Sequence, residues 1–350
     1  MSLAAILIAA WPSLARGAEL RVASWNIANL ASEPGKSLRG FIRPAGDYDT
    51  IRDHIRLLDA DIIALQEIGS IPGARRVLGE GWNIAFETRC VQNSKQCQSD
   101  NDEIYTAIAY RDGLAGNPSV FQVDALSIDH TDECGVTRPI RGGVGVKLEI
   151  GGQAVWVLSV HLKATCKDDR IEPGTEDDCA TQKKQFDILK QWIDARPASD
   201  AVILAGDFNR RLLNVNDSIR RNVFTPYGDK LNILPGEKTR SCWRTHRFDF
   251  PALQAEAKAN NPAFESKGVT PRIYSPADNF GIDHFVVINS ARSRRLIADQ
   301  IETDGYYRFE KPGETLKTCT GEMLVQGSRA LTFGQSYPSD HCPILLSISE

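Results

Sequence analysis

The sequence predicts an α/β protein in which two packed β-sheets are covered by helices. Three observations lead to this fold class. Apolar, β-rich runs recur from one end of the 350-residue chain to the other, only two amphipathic helical patterns interrupt them, and no internal repeat or Gly/Ser- or Pro-rich linker divides the chain. Many strands mixed with fewer helices are typical of stacked sheets with helices outside them. We expect one domain over residues 19–350, because this length is ample for one large core.

The predicted strands are the apolar runs that are rich in strand-forming residues. The clearest is Val144–Ile150, in which every second residue is apolar, as expected for a strand with one buried face. The full set of predicted strands is Leu20–Trp25, Asp61–Gln66, Trp82–Phe86, Tyr105–Tyr110, Val120–Val123, Val144–Ile150, Ala154–Val160, Ala201–Ala205, Ile282–Ile288 and Ile344–Ile348.

Two helices are predicted from apolar residues at three-four spacing. Asp47–Asp59 carries such a stripe, and Thr181–Ala195 carries a second that Pro197 ends. Polar or Gly/Pro-punctuated segments near 89–103, 166–180, 210–275 and 300–335 are predicted to be long loops or insertions.

Composition and charge exclude several classes of protein. With 42% hydrophobic and 25% charged residues, the chain is neither disordered nor collagen-like. Its net charge of −4 argues against a protein that holds nucleic acid over its whole surface. Phosphate groups would have to be bound by a local basic patch or by a metal ion.

Residues 1–18 combine a short apolar run with small residues near Ala15 and Ala18. The run is too short to span a bilayer and predicts a secretory signal peptide, although no Lys or Arg precedes it. A flexible leader or a mis-assigned start is the alternative. No later segment is apolar for long enough to cross a membrane. We therefore expect a soluble protein that is secreted or periplasmic.

The chain has 8 cysteines, which an exported protein would use for disulfide bonds. Two pairs are close in the sequence and lie in polar segments: Cys90 with Cys97, and Cys166 with Cys179. Cys242 and Cys319 lie in later loops and form a possible third pair. Cys134 and Cys342 are left without an assigned partner, and Cys342 is a candidate buried free thiol. No C-x-x-C pair is present, so a zinc cluster is not predicted.

Polar residues stand at the ends of several apolar runs, where a core has no use for them. Each alone is compatible with a turn, a cap or a solvated strand end. Together they can converge on one rim of a pair of stacked sheets. These residues are Asn26, Glu67, His161, Asp207, Asn209, Asp283, Asp340 and His341.

The residue types favour one chemistry. Asn, Asp and Glu provide the hard oxygen ligands that suit Mg²⁺, Mn²⁺ or Ca²⁺. His161 and His341 can move protons near neutral pH, and Asp283 or Asp340 could orient a histidine. This combination suits hydrolysis of a phosphate ester by activated water.

With these residues the sequence resembles the endonuclease/exonuclease/phosphatase family, which includes deoxyribonuclease I, apurinic endonucleases, inositol polyphosphate 5-phosphatases and bacterial sphingomyelinases. GDFN at 206–209 and SDH at 339–341 are the most specific of the matching segments. The others are SWNIANL (24–30), DIIALQEI (61–68), YTAIAYR (105–111), TRPIRGGVGVKL (137–148), SVHLKATC (159–166) and GIDHFVV (281–287). The resemblance implies an α/β (α+β) four-layer sandwich of two mainly antiparallel β-sheets flanked by helices, as in deoxyribonuclease I.

The resemblance also implies roles for individual residues. Asn26 and Glu67 match metal ligands, and Asp340 matches a metal or water ligand. Asp207 and Asn209 match the pair that contacts the phosphate and the attacking water.

The two histidines match catalytic residues of the family. His341 corresponds to the histidine that takes a proton from water, and Asp283 to its supporting carboxylate. His161 corresponds to a second histidine of the nuclease and sphingomyelinase branches. Arg138 corresponds to a phosphate-binding arginine, and Arg141 is close enough in the sequence to compete for that role.

Three functions remain open. A basic bias over residues 205–250, with nine basic and five acidic side chains, favours a nuclease. There Arg210 and Arg211 follow the predicted catalytic loop and could bind a polyphosphate strand. An aromatic cluster at Tyr306, Tyr307 and Phe309 could enter a membrane interface and is compatible with a sphingomyelinase-like enzyme. An inositol-phosphate-like phosphoesterase is a further alternative of this kind.

The third possibility is a binding module that has lost catalysis. It is disfavoured because all the catalytic residue types are present. We expect a Mg²⁺-dependent monomeric endonuclease that acts on DNA without stable membrane insertion.

Overall fold

The computed structural model describes residues 19–39, 41–43, 45–93, 95–131, 135–166, 177–236, 243–244, 251, 255, 258, 270–274, 281–290, 294–301, 303–304, 306–310 and 339–349. The predicted signal peptide and the predicted Cys242–Cys319 pair lie outside these residues.

Twenty strands are found in this part of the chain. In chain order they are β1 Leu20–Leu30, β2 Ser37–Leu38, β3 Phe41–Ile42, β4 Ile62–Ile68, β5 Trp82–Phe86, β6 Tyr105–Arg111, β7 Ser119–Val123, β8 Asp129–Thr131, β9 Thr137–Pro139, β10 Gly143–Ile150, β11 Gln153–His161, β12 Ala201–Asp207, β13 Leu231–Leu234, β14 Trp243–Arg244, β15 Thr270–Tyr274, β16 Asp283–Ile288, β17 Arg295–Gln300, β18 Thr303–Asp304, β19 Tyr306–Glu310 and β20 Ile344–Ser349. All ten predicted strands are confirmed.

Two six-stranded sheets form the centre of the fold. The first has the order β17-β20-β1-β4-β6-β5 and the second the order β13-β16-β12-β11-β10-β7. Each sheet is mainly antiparallel with one parallel pair, β1 with β4 and β11 with β12. Because the strands of a parallel pair end at the same edge, both sheets place two carboxyl-terminal strand ends side by side.

Helices cover the outer faces of both sheets and complete the predicted four layers. The helices are α1 Ala45–Leu58, α2 Ile71–Leu78, α3 Thr88–Asn93 and α4 Asp177–Asp194. Val22 and Ile62 of the first sheet meet Val157 and Phe285 of the second in a shared apolar core. Apolar side chains of α1 and α2 pack on the outside of the first sheet, and those of α4 on the outside of the second. The predicted fold class is confirmed.

Helix α2 was not predicted, because it contains Pro72 and Gly73. Proline is tolerated in the first turn of a helix, where its missing N–H has no partner to lose. Gly73 lets the helix approach the chain after β1, since an added Cβ would lie 2.8 Å from the carbonyl oxygen of Ala31. Close packing therefore outweighs the local sequence signal.

The structure confirms two predicted disulfides, Cys90–Cys97 and Cys166–Cys179. The expectation of a free thiol at Cys342 is wrong, because this cysteine is also disulfide-bonded. Every cysteine in the described ranges is therefore oxidised. None of the helices described here is both long enough and apolar enough to cross a bilayer.

Candidate active site

The polar strand ends lie at one rim of the stacked sheets. In the second sheet His161 is in register with Asp207, and Asp207 with Asp283. From the first sheet, the Asn26 side chain bridges to the second by donating hydrogen bonds from Nδ2 to Glu67 Oε1 and to Asp207 Oδ2, both 3.2 Å long. Residues from five strands thus form one cluster with His341, which precedes β20.

Bulges direct the two side chains of the first sheet into this cluster. The register between β1 and β4 shifts after Asn26, and that between β4 and β6 shifts after Leu65. Glu67 has a φ of +62°, which is unfavourable for a residue with a side chain. The backbone N–H of Asn29 donates a 3.1 Å hydrogen bond to Glu67 Oε2 and helps to hold this conformation. Bulges and strained residues of this kind occur at functional sites.

His341 is held by contacts on both sides of its ring. Its Nδ1 lies 2.7 Å from Asp283 Oδ2, and its Nε2 lies 3.8 Å from Asp207 Oδ2 and 3.9 Å from Asp340 Oδ1. The indole Nε1 of Trp25 donates a 2.9 Å hydrogen bond to the carbonyl oxygen of His341. With Nδ1–H donated to Asp283, the Nε2 atom faces the centre of the cluster.

The electrostatic environment favours a protonated His341. Burial alone lowers the pKa of its imidazole, but the charge and hydrogen bond of Asp283 raise it, as do Asp207 and Asp340. The net result is a pKa well above the ordinary value. His341 therefore carries a proton near neutral pH unless the surrounding charge changes.

Asp207 is the buried carboxylate at the centre. Burial raises its pKa to about 7, the charge of His341 opposes this, and Asp283 adds to it. The backbone N–H of Asn209 donates a 2.8 Å hydrogen bond to Asp207 Oδ1. The side chain of Asn209 donates from Nδ2 to the carbonyl oxygen of Leu162, 3.1 Å away. Asn209 therefore fixes the loop that presents Asp207.

His161 has the opposite protonation preference. Its Nε2 lies 3.6 Å from Asp207 Oδ2 and 4.0 Å from Glu67 Oε1. Burial, together with the positive charges of Arg141 and His341, holds the pKa of His161 well below its usual value. The two histidines thus differ in charge near neutral pH. Titratable groups whose pKa values are pushed apart are typical of acid–base chemistry.

The donor set fits a hard divalent cation. Buried or half-buried carboxylates from several strands crowd around His341, and Asp207, Asp283 and His341 offer ligand atoms that all lie within 4.8 Å of one another. The 2.7 Å contact between Asp283 and His341 already uses one atom of each. Glu67 and the other carboxylates remain as oxygen donors, which suit Mg²⁺, Mn²⁺ or Ca²⁺.

The expected role of Arg210 in phosphate binding is wrong. Its guanidinium is 1% exposed and contacts Asp217 Oδ2 from Nε at 2.8 Å and from Nη2 at 2.7 Å. Its Nη1 donates a 2.8 Å hydrogen bond to the carbonyl oxygen of Cys166. A substrate outside the protein cannot reach these atoms. Arg211, the other arginine of the pair, is exposed.

Replacing Arg210 with methionine is expected to destabilise the protein rather than to weaken substrate binding selectively. The substitution leaves the carboxylate of Asp217 buried without its partner, which costs about 3–5 kcal/mol in comparable cases. Urea unfolding would measure this loss, with Arg211→Met as the exposed control. A normal free energy of unfolding together with a raised KM would contradict the structural role.

The sequence left two arginines, Arg138 and Arg141, as candidates for phosphate contact. Arg141 donates to the carbonyl oxygen of His161 from Nε at 3.3 Å and to that of Leu162 from Nη2 at 2.8 Å. Its guanidinium therefore lies against the end of β11 that carries His161. Arg138 is half-exposed, with Nη1 3.9 Å from Glu103 Oε1. Both arginines line one cavity that also includes Glu67 and His161.

Arg39 lines the same cavity and is not among the predicted site residues. It lies in the turn between β2 and β3, two strands of two residues each, and nothing in the local pattern marks it. Tyr105 lies in the core, fully buried with its hydroxyl 2.8 Å from Asn101 Oδ1. His284 is also buried, and its Nε2 contacts the carbonyl oxygen of Gly281 at 2.6 Å.

Comparison with known proteins agrees with this architecture. Residues 23–341 match the model of the Endonuclease/Exonuclease/phosphatase family. A humanized TDP2 of D. rerio carrying 14 mutations is 14% identical, with a TM-score of 0.50 over 95% of this chain and 100% of that chain. An endonuclease/exonuclease/phosphatase from Bacteroides vulgatus is 15% identical, with a TM-score of 0.50 over 95% of this chain and 98% of that chain. No curated protein matches the sequence.

Proposed function

Because the chain belongs to the endonuclease/exonuclease/phosphatase family and is a phosphate-ester hydrolase, we propose that it is a metal-dependent phosphodiesterase that cleaves DNA. The observation that carries this proposal is the cluster at the sheet rim, where His341 is paired with Asp283 and faces Asp207. A base, its orienting carboxylate and an oxygen-rich ligand set are the parts that hydrolysis of a phosphodiester by water requires.

His341 is the proposed general base. It acts in the fraction of molecules in which Nε2 is unprotonated. This atom takes a proton from the attacking water, and Asp283 holds the Nδ1–H and stabilises the imidazolium that forms. Asp207, 3.8 Å from Nε2, accepts a hydrogen bond from the water and orients it toward phosphorus. Asn209 fixes Asp207 through its backbone N–H.

Glu67, with Asn26 and Asp340, would hold the divalent cation. When bound, the cation supplies stabilisation of the negative charge that develops on the phosphate oxygens. In the structure Asn26 donates its side-chain N–H groups to Glu67 and Asp207, while its Oδ1 accepts from the Ala28 backbone N–H at 2.9 Å. Asn26 thereby keeps both carboxylates at the rim.

His161 is proposed to bind the phosphate as a neutral donor. Because its pKa is lowered by burial and by nearby positive charge, it is uncharged at neutral pH. Two carboxylates lie near its Nε2, so the proton is expected on this atom. A neutral imidazole can donate a hydrogen bond to a phosphoryl oxygen in the transition state.

We also propose that the protein is exported, as a mature chain over residues 19–350. The disulfides Cys90–Cys97 and Cys166–Cys179 and the oxidised Cys342 support this compartment. Such bonds persist in oxidising environments and are rare in the cytosol.

Plasmid nicking tests the proposed function. The purified protein is incubated with supercoiled DNA and Mg²⁺ or Mn²⁺, with EDTA and the His341→Ala variant as controls. We expect open-circular DNA only for the wild-type protein with metal. Intact plasmid with every metal would contradict the DNA endonuclease, and sphingomyelin or a small phosphate ester would then be tested as substrate.

A further inference from the structure

A cavity of about 300 Å³ adjoins the candidate active site. It shares Glu67 and His161 with the catalytic cluster, whereas Asp207, Asp283 and His341 do not line it. The cavity is therefore a space beside the proposed reaction centre that is continuous with it. A group held there would be part of the molecule whose phosphate is being cleaved.

The cavity wall carries more positive than negative charge. Among the described residues, five basic side chains line it, against two carboxylates, Glu67 and Glu103. Two of the five are neutralised, since Arg89 contacts Glu87 at 2.9 Å and Lys163 contacts Asp178 at 2.6 Å. The remaining three are Arg39, Arg138 and Arg141.

These three arginines have little compensation from carboxylates. Arg141 binds only backbone carbonyl oxygens, and within the described residues no carboxylate oxygen lies within 4.0 Å of it. Arg138 has one carboxylate, 3.9 Å away on Glu103. The side chain of Arg39 has no hydrogen bond or ion pair in the part of the chain that the structure describes.

The neighbouring positive charges affect the pKa of Arg141. Burial lowers the pKa of its guanidinium, and the charges of Arg89 and Arg39 lower it further. Glu67, the largest influence after burial, and Asp207 act in the opposite direction. Like charges assembled without a matching anion are unfavourable until an anion is bound.

Two of the three arginines belong to hairpins outside the main sheets. Arg39 lies between β2 and β3, and its backbone N–H donates a hydrogen bond to Asp102 Oδ1. Arg138 lies in β9, which pairs with β8. Substrate preference in a shared fold is set by such added segments rather than by the sheets. The cavity is thus placed where this chain would acquire its own specificity.

We propose that this cavity binds a second phosphate group of the substrate, next to the phosphate that is hydrolysed. Guanidinium groups recognise phosphate oxygens by paired hydrogen bonds and remain charged at all physiological pH values. The same positive charge would repel the quaternary ammonium of a choline headgroup. The inference rests on the proposed phosphodiesterase function and specifies its substrate as one with two neighbouring phosphates.

The second phosphate could be a terminal monoester or the next phosphodiester of a strand. Four thymidine oligonucleotides distinguish these sources. The plain dinucleotide has only its internal phosphodiester, two further dinucleotides carry an added 5′-phosphate or an added 3′-phosphate, and the trinucleotide has two phosphodiesters. Binding is measured by calorimetry in EDTA, where no cleavage is expected. We expect at least one oligonucleotide with a second phosphate to bind about tenfold more tightly than the plain dinucleotide, as for one charge-assisted contact.

The variant Arg39→Met is expected to bring the ratio of the two affinities close to one. Arg39→Lys, which keeps the charge, is expected to retain part of the preference. Arg56→Met, an exposed arginine on α1 paired with Asp53, is the matched control and should keep the full preference. Thermal unfolding confirms that each variant is folded. Equal affinities of the wild-type protein for all four oligonucleotides would overturn the inference, and so would an unchanged preference in Arg39→Met.

Failure of the inference and failure of the proposed function are distinguishable. Metal-dependent plasmid nicking with equal affinities for the oligonucleotides leaves the function standing and removes the second phosphate site. Preferential binding that Arg39→Met abolishes, without cleavage of any DNA, supports the phosphate site and rejects the endonuclease.

Discussion

Replacing His341 with alanine is expected to lower kcat by about 10³-fold, within the range that a positioned general base contributes. The substitution removes the only imidazole that pairs with Asp283 in the described part of the chain. Folding should be little affected, because the contacts that anchor this loop involve the backbone of residue 341. Its carbonyl oxygen accepts a hydrogen bond from the indole of Trp25, and its backbone N–H donates one to Ser339 Oγ. Steady-state cleavage of plasmid DNA would measure the loss.

The matched control is His54→Ala. His54 lies on α1, where its Nδ1 contacts the carbonyl oxygen of Thr50 at 2.8 Å and its ring centroid lies 5.9 Å from that of Trp25. Within the described residues this imidazole pairs with none of the carboxylates around His341. The His54→Ala variant should retain activity within a few-fold. A His341→Ala protein with native circular dichroism and near-normal kcat would reject His341 as the base.

Replacing Asp283 with asparagine is expected to lower kcat by about 10²–10³-fold and to change its pH dependence, because the orienting carboxylate of a catalytic histidine is lost. In the wild-type protein, Asp283 is the largest of the influences that raise the pKa of His341. A general base must be deprotonated, so activity should increase as pH rises through this elevated pKa. Without the carboxylate the pKa of His341 falls, and the ascending limb of the pH–rate profile should move to lower pH.

The pH profile separates positioning from a merely structural effect. Asp53→Asn, an exposed acid on α1, should leave both the rate and the profile unchanged. A fall in kcat without displacement of the ascending limb would show that His341 does not control that limb.

Much of the fold follows from local sequence patterns. Strand β10 has the alternation of apolar side chains that a half-buried strand requires, its partner β11 is a nearly continuous apolar run, and helix α1 has the stripe that faces the first sheet. These patterns repeat over a few residues and therefore need no knowledge of the rest of the chain. Elements without a repeat were missed, such as the two-residue strands β2 and β3 and the helix α2 with its Pro72 and Gly73.

For the arginines, too, the local sequence does not show which side chains reach the site. Arg210 follows the predicted catalytic loop, and its position in the sequence favours contact with substrate. The fold instead turns it inward onto Asp217, because a buried charge is stable only with a partner that also satisfies its hydrogen bonds. Arg39, which is distant in sequence from every predicted site residue, lines the cavity beside Glu67.

The sequence by itself determined which polar residue types stand at the strand ends and hence the family and its chemistry. Only the tertiary structure decided what each residue can do there. His161 and His341 are identical side chains in equally buried places, yet their pKa values move in opposite directions. Asp283 reaches His341 from β16, and Arg141 reaches His161 from the segment before β10. Charge acts through distance in space, and only folding sets that distance.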